Sequence, residues 1–160
     1  MKTKSCLLVV LATFASGLFL SSLSHAEMDE KPHADWITDF EAAKAKAKAE
    51  DKPILVDFTG SDWCGWCIKL DKEVFTKASF TEYASENLVL LEIDFPSKKV
   101  KQSAELKAQN KAMAEKYGIK GFPTILLLDA EGKVIERTGY KRGGPEKYVE
   151  HLKSLLAAKQ

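Results

Sequence analysis

Three short, nearly all-apolar runs constrain this chain most: Ile54-Leu55-Val56-Asp57-Phe58, the stretch LVLLEIDF at 88–95, and the stretch PTILLLD at 123–129. Runs of that length and content are the mark of strands covered on both faces. The segments between them have helical spacing. Phe40, Ala43 and Ala47 fall on one face of the first, with lysines on the other. Thr38 and Glu41 in Thr-Asp-Phe-Glu form a capping-box pattern, so Thr38 is the expected N-cap. Lys52-Pro53 stops that helix. Thr59–Asp62 turns the chain, 64–75 reads as a helix, and a short helical piece follows at 80–85. A polar loop at 96–102 precedes a helix over 103–118, with Ser103 as cap and Gly118 as stop. The third run pairs with 133–139 through a hairpin turn at Ala130-Glu131-Gly132. Gly144-Pro145 opens a last helix whose apolar stripe is Tyr148, Val149, Leu152, Leu155 and Leu156. The order α-β-α-β-α-β-β-α predicts an α/β fold: a mixed central sheet with helices on both faces, parallel first and closed by an antiparallel pair.

The N-terminus sets the compartment. Lys2 and Lys4 precede an apolar run from Cys6 to Leu20, and Ser24-His25-Ala26 closes it with a small-x-small pattern. This is the layout of a secretory signal peptide. The run is short for a spanning helix, which needs about 20 apolar residues; an uncleaved anchor is the alternative. The expected organisation is a signal at 1–26 and one domain at 27–160. That domain would carry 22 basic and 23 acidic residues. No basic stripe with interleaved aromatics occurs, so no nucleic-acid partner is expected. The tail Ala157-Ala158-Lys159-Gln160 lacks an endoplasmic-reticulum retention signal, which favours the periplasm.

Beyond the signal the cysteines are Cys64 and Cys67, in Trp-Cys-Gly-Trp-Cys. A single close pair in an exported chain is no disulfide framework, so these thiols are expected to react. Cys64 follows a buried strand at the first turn of a helix. Free N–H groups and the helix dipole there favour a thiolate and lower a cysteine pKa from about 8.5 into roughly 3.5–7.5. Cys67, three residues on, can reach it within disulfide geometry. Zinc would need four ligands, and His33 and His151 are both far off in sequence; no metal is expected. Cu(I) suits soft thiolates better, but no Met-rich or His-rich tract supports it. A purely structural disulfide would close a very short loop and contribute little. Asp57 interrupts an apolar strand. If buried it should be protonated or met by water, since an unpaired buried carboxylate is costly; otherwise it ends the strand facing solvent.

Val56-Asp57-Phe58, then Trp63–Cys67, then Tyr-Gly-Ile-Lys-Gly-Phe-Pro-Thr at 117–124 closely resemble the thioredoxin superfamily, in the right order over most of 36–158. The longer loop before Trp63 and the long segment 95–117 look more like the exported disulfide reductases and isomerases of that superfamily than cytosolic thioredoxin. The resemblance implies that Cys64 is the exposed nucleophile and Cys67 the buried resolving thiol, able to form a Cys64–Cys67 disulfide. It implies that Asp57 assists proton transfer at Cys67, and that Trp63, Gly65 and Trp66 flank the substrate. Phe122-Pro123 would form a cis-proline loop whose backbone pairs with it. It departs from the family in having Gly65-Trp66 rather than Gly-Pro, an extra residue in the loop, and Leu90 where thioredoxin has a lysine near its aspartate. The expected function is a monomeric, periplasmic thiol–disulfide oxidoreductase, favoured as a reductase, needing no cofactor. Its partners would be disulfide-containing exported proteins and a membrane electron-relay protein. Alternatives are a disulfide oxidase or isomerase, or a non-enzymatic module binding Cu(I) or peptide.

Overall fold

The strand expected at Ile54–Phe58 is the middle of the sheet. The computed structural model describes residues 34–158; the expected signal 1–26, Cys6 and His33 lie outside the described residues. In chain order the elements are β1 Trp36–Ile37, α1 Phe40–Glu50, β2 Ile54–Thr59, α2 Gly65–Leu70, a π-helical turn Asp71–Phe75, α3 Ala78–Asn87, β3 Val89–Asp94, α4 Ala104–Lys116, β4 Thr124–Leu128, β5 Val134–Thr138 and α5 Gly144–Ala157. The sheet order is β1-β3-β2-β4-β5. β1 and β2 lie parallel to β3. β4 lies antiparallel to both β2 and β5.

Alternation along each strand splits the core in two. Ile54, Val56, Phe58, Leu91, Ile93, Leu126 and Leu128 pack with Phe40, Ala43, Ala47, Met113 and Tyr117 from α1 and the end of α4. Leu55, Leu90, Ile125 and Leu127 pack with Leu70, Val74, Phe80, Tyr148 and Leu152 on the other side. Every one of these is buried. By the same parity Asp57 shares the face of Leu55 and is aimed at α2, not at the α1–α4 side.

Two sequence expectations need correction. The N-cap of α1 is Asp39, not Thr38: its Oδ1 accepts the Ala42 N–H at 2.9 Å. Thr38 instead ends the extended segment, and its carbonyl accepts the Gln109 side-chain amide at 2.8 Å. The chain also has a strand before α1 that the pattern missed. β1 is two residues long, too short for alternation to register, and is recognisable only from its pairing of Trp36 with Leu90. Where α1–α4 meets the β4–β5 turn, Gly132 has φ +82° and a Cβ there would lie 2.9 Å from Phe40 Cζ. The Tyr117 hydroxyl donates to the Gly132 carbonyl at 2.8 Å.

Candidate active site

The C-terminal end of β2 delivers the chain to the cysteines through a tight turn. The Cys64 N–H donates to the Gly60 carbonyl at 2.8 Å. Cys64 caps α2 in an extended conformation, and the Cys67 N–H points at its Sγ at 3.3 Å. That bond, with the helix start behind it, stabilises negative charge on Cys64 sulfur when the thiol is free. Cys64 and Cys67 are joined as a disulfide with Cα atoms 5.2 Å apart. Both are buried, Cys64 at 8% and Cys67 at 4% exposure, so Cys64 is not the exposed thiol that the resemblance implied.

The two cysteines line different clefts. Cys64 lies with Trp63, Lys120, Gly121 and Phe122 around a cleft of about 410 Å³. Cys67 lies with Asp57, Thr59, Asp71, Phe75 and Glu92 around another of about 450 Å³. Asp57 therefore shares a cleft with Cys67 and is not a strand-end residue facing water. It is 8% exposed, and its Oδ1 is buried with no hydrogen-bond partner among the described residues. Burial first, then the carboxylates of Glu92, Asp71 and Asp94, holds Asp57 well above the usual carboxylate range. Glu92 is its direct neighbour in register on β3. Burial, followed by Asp94 and Asp71, raises that carboxyl too. Leu90, the position aligned with thioredoxin's lysine, pairs with Leu55 instead, so the charged group facing Asp57 across the strands is an acid.

The rim around Cys64 is aromatic. Trp63 is half exposed and lies flat over Gly60, where a Cβ would come within 2.5 Å of the ring. Its Nε1–H donates to the Phe95 carbonyl at 2.7 Å. Phe122 meets Trp63 edge-on at 6.0 Å between centroids and stacks on Phe95 at 5.2 Å. The Phe122–Pro123 peptide is cis, and Pro123 leads directly into β4. Gly65 is exposed, with nothing within 4 Å of where its Cβ would be. Trp66 is half exposed and packs on Tyr140 at 5.2 Å.

Several site-supporting residues escaped the sequence reading. The Ser61 N–H and hydroxyl both donate to the Asp94 carboxylate, at 2.9 and 2.7 Å. The Asp62 carboxylate accepts the Ser97 N–H and hydroxyl at 2.8 and 2.5 Å, which holds its own pKa below the usual range, the side-chain bond foremost. The residues of the lengthened Thr59–Trp63 loop thus tie the cysteine turn to the segment after β3. Glu92 could have been found from strand parity opposite Asp57; the Ser61 and Asp62 contacts have no local sequence signal. His151 Nε2 is 2.9 Å from Thr138 Oγ1, away from the cysteines. Among the described residues no three of His, Cys, Asp and Glu are grouped to hold a metal ion, and no helix is long and apolar enough to cross a membrane.

Residues 40–155 match the family profile of the thioredoxin-like domain. The chain belongs to the thioredoxin-like family. Among relatives in this family, the disulfide bond reductase DsbH of Chlamydia pneumoniae is 40% identical over 110 residues, covering 69% of this chain and 66% of that protein. The thioredoxin-related protein DsbJ of Chlamydia pneumoniae is 35% identical over 132 residues, 82% of this chain but 38% of its own. A thiol:disulfide interchange protein DsbD of Pseudoalteromonas atlantica is 32% identical over 123 residues, 75% of this chain and 19% of its own. This chain therefore spans just under two thirds of DsbH and much smaller parts of the other two. A solved DsbH oxidoreductase superposes with a TM-score of 0.74 at 37% identity, covering 78% of this chain and 85% of that one. The thioredoxin-like fold is a mixed five-stranded sheet with five helices.

Proposed function

We propose that this thioredoxin-like protein is a thiol–disulfide oxidoreductase that reduces disulfides of exported proteins. The observation that carries the reading is the separation of the two cysteines between clefts. Cys64 lies beside the open aromatic one and Cys67 beside the buried acid Asp57. In the reduced protein the Cys64 thiolate attacks a substrate disulfide, forms a mixed disulfide and expels one substrate sulfur as a thiolate, which takes up a proton. The ionised form of Asp57, a strong acceptor because its pKa is raised, takes the proton of Cys67, which attacks Cys64 Sγ. The mixed bond breaks, the second substrate sulfur leaves as a thiolate, and the Cys64–Cys67 disulfide remains. Two electrons pass from protein to substrate. Trp63, Gly65, Trp66 and Phe122 frame the approach, and the backbone before Pro123 offers the substrate a strand partner.

Electrostatics support the reducing direction. A strong oxidant of this chemistry has a stabilised reduced form. Here no cation stands between the cysteines, and the cleft of Cys67 holds three acids, Asp57, Asp71 and Glu92, against one cation, Lys72. An excess of acids disfavours a thiolate at Cys67, which leaves the reduced pair less stabilised than in a strong oxidant and supports a reductant. The likeness to a reductase supports the same direction. Likeness to a segment of DsbD-type interchange proteins supports a membrane electron relay as donor. Export through the 1–26 signal to the periplasm and action as a monomer complete the proposal.

Insulin reduction tests it. The wild-type protein, recharged by dithiothreitol, is expected to accelerate precipitation of the insulin B chain. Cys64→Ser should abolish this, and Cys67→Ser should accumulate a mixed disulfide at Cys64. A wild-type protein no faster than dithiothreitol alone would refute the exchange reading. If Cys64→Ser instead removed only Cu(I) binding, the metal-module alternative would stand.

A further inference from the structure

Beside the cysteines, on the side opposite Trp63, the surface changes character. Trp66 is held against Tyr140, and the Tyr140 hydroxyl donates to Glu73 Oε2 at 2.6 Å. Lys69 Nζ stands over both rings, 5.4 Å from the Trp66 centroid and 5.6 Å from that of Tyr140, and 3.7 Å from Glu73. Glu73 is thus occupied in fixing the aromatic pair. Next to this pair opens a concavity of about 650 Å³, with Lys69, Lys72, Lys77 and Arg142 in its wall and Glu73 as its one carboxylate. Gly143 and Gly144, both at positive φ, close it. They start the 14-residue helix α5, whose first turn carries Glu146, held by the Ser79 hydroxyl at 2.6 Å, so the positive charge of the hollow is that of its lysines and Arg142. The chain as a whole carries a formal charge of only +1; the basic character here is local, not a share of a general excess.

Resting on the exchange reading above, we infer that this concavity is a docking subsite for acidic side chains of the substrate polypeptide, so that the preferred substrates carry Asp or Glu close to the cysteine that Cys64 attacks. A chain joined to Cys64 and running over Trp66 enters a cationic hollow. One running the other way meets Trp63, Phe122 and Phe95. The site therefore reads orientation as well as charge: carboxylates toward Tyr140, apolar residues toward Phe122. Charge complementarity of this kind acts mainly through encounter rate and is screened by salt.

The test uses single-turnover oxidation of the reduced protein by three disulfides: neutral hydroxyethyl disulfide, and two peptide disulfides of one sequence whose residues flanking cysteine are Asp in one and Lys in the other. At low salt the Asp peptide should react about tenfold faster than the Lys peptide, a ratio falling toward one at 0.5 M salt. In the double variant Lys77→Glu with Arg142→Glu the ratio should fall to one or invert; being a ratio, it is insensitive to a general loss of activity. A wild-type ratio near one at low salt, or a ratio the variant leaves unchanged, overturns the inference. Failure of hydroxyethyl disulfide as well as both peptides would be a failure of the exchange reading itself. Titration with the Asp peptide carrying serine for cysteine then decides the subsite alone: salt-sensitive binding weakened about tenfold in the variant upholds it, and binding equal to that of the Lys peptide overturns it.

Discussion

At the residue scale the proposed chemistry turns on Asp57. Its folded-state pKa lies above that of the unfolded chain, whose aspartates titrate near about 3.9. The folded protein therefore holds a proton that the unfolded chain releases, and stability falls as pH rises from about 4 toward the raised value. Asp57→Asn abolishes that dependence. The variant should melt higher than wild type, by roughly a few degrees, with the gap widening between pH 4 and pH 8 in a thermal melt. The same variant should slow release of substrate from the mixed disulfide by at least about tenfold, since a positioned proton acceptor is lost. A higher melting temperature without slower release would separate stability from mechanism and remove Asp57 from the proton path.

At the element scale the question is what holds the cysteine turn. Gly60 leaves room for the Trp63 indole, and a methyl group there would collide with it. Gly60→Ala should displace the ring, break its bond to the Phe95 carbonyl, and slow reduction of insulin roughly tenfold, while circular dichroism stays native. Asp62→Ala removes both bonds to Ser97. Amide hydrogen exchange across 95–103 should then speed up, with the strands β2 and β3 unaffected. These supports explain what the sequence could and could not reveal. The apolar runs announced β2, β3 and β4, because a strand covered on both faces leaves a continuous signature. The cysteine pair was legible from spacing alone. The bonds of Ser61 and Asp62 were not, because they join residues more than 30 positions apart. Thr38 was the natural cap by motif, yet Asp39 took the place, since backbone still leaving β1 carries Thr38 past the helix end. Glu92 lay unnoticed in an apolar run until the β2–β3 register set it opposite Asp57.

At the scale of the whole molecule, the fold assembles functions that no one element holds. The C-terminal end of β2 carries Asp57 and the cysteine turn. The loop into β4 brings Phe122 beside Cys64, and the segment before α5 brings Tyr140 against Trp66 with Arg142 in the hollow next to it. The aromatic cleft at Cys64 and the acid cleft at Cys67 have different linings, so on the proposed reading a polypeptide lying over Cys64 leaves the surroundings of Asp57 uncovered. On the proposed reading the excess of acids behind the dithiol, with no cation between its cysteines, makes it a reductant. The reduction potential of the Cys64–Cys67 pair, measured by equilibrating the protein with glutathione buffers of graded ratio, tests this most directly. A value near that of thioredoxin, about −270 mV, is predicted. A value near that of a strong disulfide donor, about −120 mV, would contradict the account and make the protein an oxidant.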